Sequence, residues 1–297
     1  MSRDEQIRAM HQMQAEHSAS VRDSAEYATK SAAWLDPRTT DYWRHDRMRR
    51  VILPLITKRE KWLTVGDGRY GADANWLISQ GLDVLCTDIQ DETLAEAQER
   101  NLIGDYCTAN AECLQFANDS FDWALCKESY HHMPRAPLAV YELLRVTRKG
   151  VVFIEPVDTE AKRWWGRFTL PVFNAIKSRG HGYEPSGNYV YTLSRTEIEK
   201  MMLGVGLRHY AFTDLSDCLI AGTEHEFFPG PIQSKIKRNI AFRDAVKSIF
   251  GVSAQLGVFV IFHSGAFIPQ GLKENNHGLR AYRLPENPYL TGQPNES

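Results

Sequence analysis

Three glycines, Gly66, Gly68 and Gly71, follow the apolar run Leu63-Thr64-Val65 and fit the spacing G-x-G-x-x-G, with Asp67 between the first two. Glycine lets the chain turn tightly and lets backbone N–H groups approach a ligand as the next helix begins, which suits a ligand bearing a nucleotide. A second apolar run, Val84-Leu85-Cys86-Thr87, ends in Asp88 and Ile89. A doubly wound α/β fold puts a carboxylate about twenty residues beyond the glycines, where it holds ribose hydroxyls. Asp88 has a second reading, as the cap of a helix opening around Asp91–Leu94. Further on, His131 and His132 follow a third apolar run. A histidine, with an ordinary pKa of about 6.5, is matched to removing a hydroxyl proton as a new bond forms, an effect of about 10²–10⁴-fold.

Asp67 bears on which nucleotide the loop takes. The start of a helix attracts anions, and a dinucleotide would set its pyrophosphate there. A carboxylate at the same place repels phosphate and suits positive charge, such as the amino group and sulfonium of S-adenosylmethionine. If Asp67 points to solvent instead, a nicotinamide-dependent dehydrogenase is the alternative.

The segments Asn110-Ala111-Glu112-Cys113-Leu114-Gln115-Phe116, Asp119–Cys126 and Ser129-Tyr130-His131-His132-Met133-Pro134 come in order after the glycine loop. Together, over roughly residues 60–156, they resemble the class I S-adenosylmethionine-dependent methyltransferases, and most closely the small-molecule branch called type 11. The chain departs from that pattern in three places. Thr64 stands where the family has an acidic residue, Arg69 or Tyr70 lengthens the glycine loop by one, and Lys149-Gly150 replaces a Pro-Gly-Gly turn. Asp67 is expected to take over part of the missing acidic role.

The resemblance implies S-adenosylmethionine as cofactor, held by Gly66, Asp67, Gly68, Gly71, Asp88, Ile89, Asn110, Ala111, Glu112 and Lys127. In the sugar O-methyltransferases that Ser129–Pro134 resembles, the first histidine is the base and a carboxylate ending the fifth strand supports it. The matching residues are His131 and Glu155, with His132 as the substitute. Such a carboxylate would hold the imidazole tautomer, as in a catalytic triad. N-terminal helices of this family close over the cofactor and acceptor, which nominates Tyr42, Trp43 and Arg47. Cation–π contact with a sulfonium is worth about 0.5–2 kcal/mol, and packing against a core helix is the alternative use of these aromatics. Glu128, Trp164 and Trp165 complete the expected acceptor contacts. The implied reaction is methylation of a hydroxyl on a small polar acceptor, a sugar or glycoside that is nucleotide-linked or lipid-linked. A non-catalytic binder of the same cofactor is a further alternative.

Several elements must position these groups. Strands are expected near 62–65, 83–87, 105–108, 121–126 and 151–155, with helices between them, including Pro137–Thr147, whose Leu138, Tyr141 and Leu144 share a face. Then come a strand Tyr189–Leu193, a helix Arg195–Gly204, a strand Leu207–Phe212 and a last strand Leu256–Phe262, antiparallel in the family. The fold class is therefore α/β, a Rossmann-like, doubly wound, seven-stranded, mostly parallel sheet. Residues 1–56 read as N-terminal cap helices, opened by the capping pair Ser2 and Glu5. Residues 57–268 form the main domain, interrupted by lid insertions at 157–188 and 215–250, and 269–297 form a polar tail. The lid carries Trp164, Trp165, Phe227 and Phe228, and a basic helix runs from Lys235 to Lys247. That helix invites a diphosphate or an anionic membrane surface, with a solvated face as the plain reading.

Lys and Arg number 35 against 37 Asp and Glu in 297 residues, so no basic field points to nucleic acid. Five cysteines without C-x-x-C spacing suit free thiols in a reducing cytoplasm. No apolar run approaches the roughly 20 residues of a membrane span. No Asp/His/Glu set has metal-ligand spacing, and catalysis without a metal is expected.

Overall fold

In the computed structural model the described residues are 2–22, 31–158, 183, 189–227, 229–250, 254–263, 272 and 278–289. Helix α1 (Arg3–Arg22) opens with the expected pair, Ser2 N donating to Glu5 and Glu5 N to Ser2 Oγ. A helical turn at 31–35 and α2 (Thr40–Arg49) follow. The core then alternates strand and helix: β1 (Lys61–Val65), α3 (Ala72–Ser79), β2 (Asp83–Asp88), α4 (Glu92–Glu99), β3 (Tyr106–Thr108), β4 (Phe121–Lys127), α5 (Ala136–Val146) and β5 (Thr147–Pro156). It continues through α6 (Arg195–Gly204), β6 (His209–Leu215), α7 (Pro231–Phe250), β7 (Leu256–Phe262) and β8 (Arg280–Arg283).

The sheet order is β3-β2-β1-β4-β5-β7-β6-β8. β1 to β5 pair in parallel, and β7 runs antiparallel to both β5 and β6. The order turns back on itself between β1 and β4, so their carboxyl ends open a crevice for a ligand. Strand β7 is apolar and buried throughout, as are the middles of β4 (Trp123–Cys126) and β5 (Gly150–Ile154), as expected of strands covered on both faces.

Three expectations need correction. An eighth strand, β8, pairs antiparallel with β6 within what reads as a polar tail. Tyr189 and Leu193 make isolated bridges to Tyr183 and Val157, and no strand forms there. On α5 the buried face is Ala136, Ala139, Val140, Leu143 and Leu144, while Leu138 and Tyr141 are exposed. The stripe at i, i+3, i+4 prevails over the one at i, i+3, i+6, since only the former stays on one side of the helix.

The lengthened glycine loop absorbs its extra residue with two left-handed positions, Tyr70 and Gly71, just before α3. Gly150, from the altered turn, lies in β5 where a Cβ would strike the Ile261 carbonyl and Trp123.

Candidate active site

The carboxyl ends of β1, β2, β3 and β4 surround a crevice of about 490 Å³, within the size range of small-molecule sites. Gly66, Asp67 and Gly68 form one wall, Asp88 and Ile89 the next, then Asn110, Ala111 and Glu112, and finally Lys127, Glu128, His131 and His132. Of the expected cofactor residues, Gly71 alone lies behind the wall; it starts α3 and packs on Ile103 and Cys86.

Gly68 and Asp88 are fitted to one another. A Cβ at Gly68 would stand 2.8 Å from Asp88 Oδ2, so only glycine lets the loop pass so close to this carboxylate. Asp88 Oδ1 accepts from the Gln90 N–H at 3.1 Å, which turns the carboxylate across the end of β2. Burial raises its pKa to about 6 against the pull of backbone N–H groups from Gln90, Gly68 and Ile89. The helix-cap reading of Asp88 fails, because α4 starts at Glu92 with Asp91 in the cap position and no side-chain cap bond.

Asp67 is turned differently from the sequence expectation. Its Oδ1 accepts from Asp73 N at 3.1 Å and its Oδ2 from Ala74 N at 2.8 Å, so the carboxylate caps the opening turn of α3. The first N–H groups of a helix have no intrahelical acceptor, and this one is the nearest. Burial and then the neighbouring Asp73 push Asp67 up to about 7. Asp73 is itself held by buried Arg49, 2.6 Å away. Glu112 is similarly engaged, accepting from Arg135 N at 2.6 Å and Arg135 Nε at 2.7 Å, with His11 of α1 at 3.3 Å.

Across the crevice, Glu155 is fully buried in β5 and gathers the turn after β4 around itself. Its Oε1 accepts from Ser129 N (2.8 Å) and Tyr130 N (2.9 Å), and its Oε2 lies 2.7 Å from His131 Nδ1. The His132 ring is 4.0 Å from that of His131. The two residues, 24 positions apart in sequence, thus form one unit, with His131 lining the crevice and Glu155 behind it.

The N-terminal cap reaches the crevice through residues the sequence reading missed. Trp34 lines it, with the His45 ring at 3.6 Å, Arg69 at 4.5 Å and Lys127 Nζ at 4.7 Å. Lys127 is buried and pairs with Glu128 at 2.6 Å. Burial opposes the Glu128 charge, but the Lys127 ammonium beside it outweighs this and holds the carboxyl well below its ordinary value. Burial, then Lys127, keeps His45 well below the usual histidine value and so neutral. Arg44 pairs with Asp41 and with Asp217, tying α2 to the loop after β6.

Tyr42, Trp43 and Arg47 lie off the crevice. Helix α2 turns Asp41, Arg44, His45 and Met48 inward, and at about 100° per residue the positions between them fall to its flanks. Trp43 lies beneath Arg47 at 5.7 Å and Lys237 at 5.8 Å, and Arg47 donates to the Ser216 carbonyl at 2.6 Å. A cap aromatic over the glycine loop does exist, at Trp34. The signal available in the sequence was its place nine residues before Trp43, at the end of a helical stretch. Trp164 and Trp165 lie outside the described residues, as do most of the 157–188 insertion and Phe228. Among the described residues no group of three or more His, Cys, Asp or Glu is placed to hold a metal, and no helix is long and apolar enough to cross a membrane.

Residues 63–154 match the family model described as a methyltransferase domain. No curated protein matches the chain. Among solved structures, the YcgJ protein of Bacillus subtilis is similar at 17% identity and a TM-score of 0.49, over 73% of this chain and 97% of that one. A SAM-dependent methyltransferase from Archaeoglobus fulgidus is similar at 13% identity and a TM-score of 0.49, over 75% of this chain and 95% of that one. The domain match displaces the nicotinamide alternative. From β1 to β5, the chain carries a methyltransferase domain, and its cofactor is S-adenosylmethionine.

Proposed function

We propose that the protein methylates a hydroxyl of a small polar acceptor, a sugar or glycoside, with His131 as the general base and Glu155 as its orienting partner. The observation that carries this reading is the 2.7 Å contact between Nδ1 of His131, which lines the crevice, and Glu155 buried behind it. S-adenosylmethionine supplies a methyl group already activated by its sulfonium. Asp88 is assigned the ribose hydroxyls, with Gly66, Gly68, Ile89 and the Asn110–Glu112 turn shaping the rest of its seat. Orientation of acceptor and donor contributes most to such a displacement.

The protein's own part is to hold and move one proton. A carboxylate accepts from Nδ1–H, so the ring's basic lone pair is on Nε2. The acceptor hydroxyl gives its proton to Nε2 as the new bond forms, and Glu155 stabilises the imidazolium. Backbone N–H groups of Ser129 and Tyr130 keep Glu155 in place meanwhile. His132, beside it, is the replacement base if His131 is not used.

The sugar assignment draws on the likeness of Ser129–Pro134 to sugar-modifying relatives. The five described cysteines are free thiols, which supports a reducing, cytoplasmic setting.

Transfer of a labelled methyl group to a panel of nucleotide sugars, lipid-linked sugars and free glycosides tests the acceptor class. His131→Ala should lower kcat by about 10²–10⁴-fold and leave S-adenosylhomocysteine affinity intact. Near-normal activity of that variant on the true acceptor would remove His131 from the mechanism. Binding of S-adenosylhomocysteine without transfer to any acceptor would favour a non-catalytic role.

A further inference from the structure

Helix α7 (Pro231–Phe250) carries two stripes of opposite character. Gln233 and Ile236 are buried against the body, and Asp244 accepts from buried Ser216 at 2.7 Å on the same side. The outer stripe is Lys235, Arg238, Phe242, Ala245 and Ile249, spaced three and four residues apart and all exposed. Such spacing puts five side chains on one face.

On a helix that merely covers a soluble domain the outer face is polar. Here Phe242 is 69% and Ile249 65% exposed, and Phe250 beside them is 39% exposed. The helix holds five basic residues, Lys235, Lys237, Arg238, Arg243 and Lys247, and one acidic residue, Asp244, in a chain whose formal charge is -2. Asp244 answers Lys247 at 2.8 Å, so the remaining four cations are an excess over the helix's own acids.

We infer that the outer stripe of α7 docks on the surface of an anionic lipid bilayer. Cations that flank large apolar side chains on one helix face meet both halves of such a surface, phosphate above and acyl chain below. A nucleic acid backbone would satisfy the cations but offers nothing to Ile249, whereas a bilayer takes both. The inference stands apart from the acceptor and base assigned above, because it uses none of the crevice residues.

Co-sedimentation of the full chain with vesicles tests it, using phosphatidylcholine alone and phosphatidylcholine mixed with phosphatidylglycerol. Binding is expected to the mixed vesicles only, weakening as salt shortens the screening length from about 10 Å at 0.1 M. At about fivefold per cation, Lys235→Gln with Arg238→Gln should lower the partition coefficient about 25-fold. Phe242→Ser with Ile249→Ser should lower it as well, with thermal midpoint and S-adenosylhomocysteine affinity unchanged as the check on folding. Absence of binding to anionic vesicles at low salt overturns the inference. So does binding that the Phe242/Ile249 variant retains in full, binding to an oligonucleotide through the same residues with none to vesicles, or a dimer that these residues hold together in solution.

Discussion

Glu155→Gln keeps the shape of the side chain and removes its charge, and its effect can be worked from three contacts. Oε1 receives backbone N–H groups from Ser129 at 2.8 Å and Tyr130 at 2.9 Å, while Oε2 faces His131 Nδ1 at 2.7 Å. The glutamine carbonyl must stay with the two backbone donors, since its amide there would set donor against donor. The amide then faces Nδ1 and donates to it, and the ring proton moves to Nε2, the nitrogen that should be accepting the acceptor's proton. The rate should fall by about 10²–10⁴-fold, or ~3–5.5 kcal/mol of barrier. Stability should change much less. Charge-assisted bonds of ~1.5–3 kcal/mol become neutral bonds of ~0.5–1.5 kcal/mol, offset in part because a buried charge is no longer held away from water. Glu155→Ala contrasts with this, leaving two buried N–H groups unpaired at ~1–3 kcal/mol each. The assay is single-turnover methyl transfer, with calorimetric titration of S-adenosylhomocysteine and a thermal melt as controls. A folded Glu155→Gln variant that binds S-adenosylhomocysteine normally and turns over within about threefold of the wild type would refute the pairing as catalytic.

Asp88 links cofactor binding to stability and pH. Its folded pKa of about 6 lies above the unfolded 3.8, so the folded chain binds this proton more tightly. The cost of ionising it is absent below about pH 4, grows between about 4 and 6, and is complete above that, at ~3 kcal/mol. Asp88→Asn should therefore raise the thermal midpoint at neutral pH while weakening S-adenosylhomocysteine by roughly tenfold or more, the scale of a bond to a charged group. In the wild type, calorimetry across pH should show affinity falling about tenfold per unit below about 6. Gly68→Ala should displace the Asp88 carboxylate and lower cofactor affinity about tenfold or more, with only a small shift in a thermal melt. Trp34→Ala should weaken S-adenosylhomocysteine by ~0.5–2 kcal/mol and relax the cap over the glycine loop, read as faster proteolysis of the N-terminal segment.

Some of this protein is written locally. Apolar runs between turns place β1, β2, β4, β5 and β7 within a few residues, and Ser194 and Glu197 open α6 with a capping box at the expected position. Gly66 and Gly71 sit at positive φ, the conformation that makes them recognisable as glycines with a purpose. His131 is legible too, because it follows an apolar strand whose carboxyl end must face the crevice, whereas Glu155 is legible as its partner only through the family resemblance.

What the tertiary structure alone decides is where each charge points. Asp67 turns to α3 because an uncapped helix start lies within reach, and no spacing rule could rank that against a ligand. That Trp43 misses the crevice follows from the rotation of α2, held by Arg44 reaching Asp217 across 173 residues of sequence, and Trp34 meets it from outside that helix by packing on His45. The edge strand β8 forms because β6 offers an unpaired edge, although its own four residues, Arg280–Arg283, are mostly exposed and carry no apolar alternation. Strand periodicity and glycine turns arise from contacts a few residues apart, whereas buried charges take their direction from partners that only the folded chain brings near.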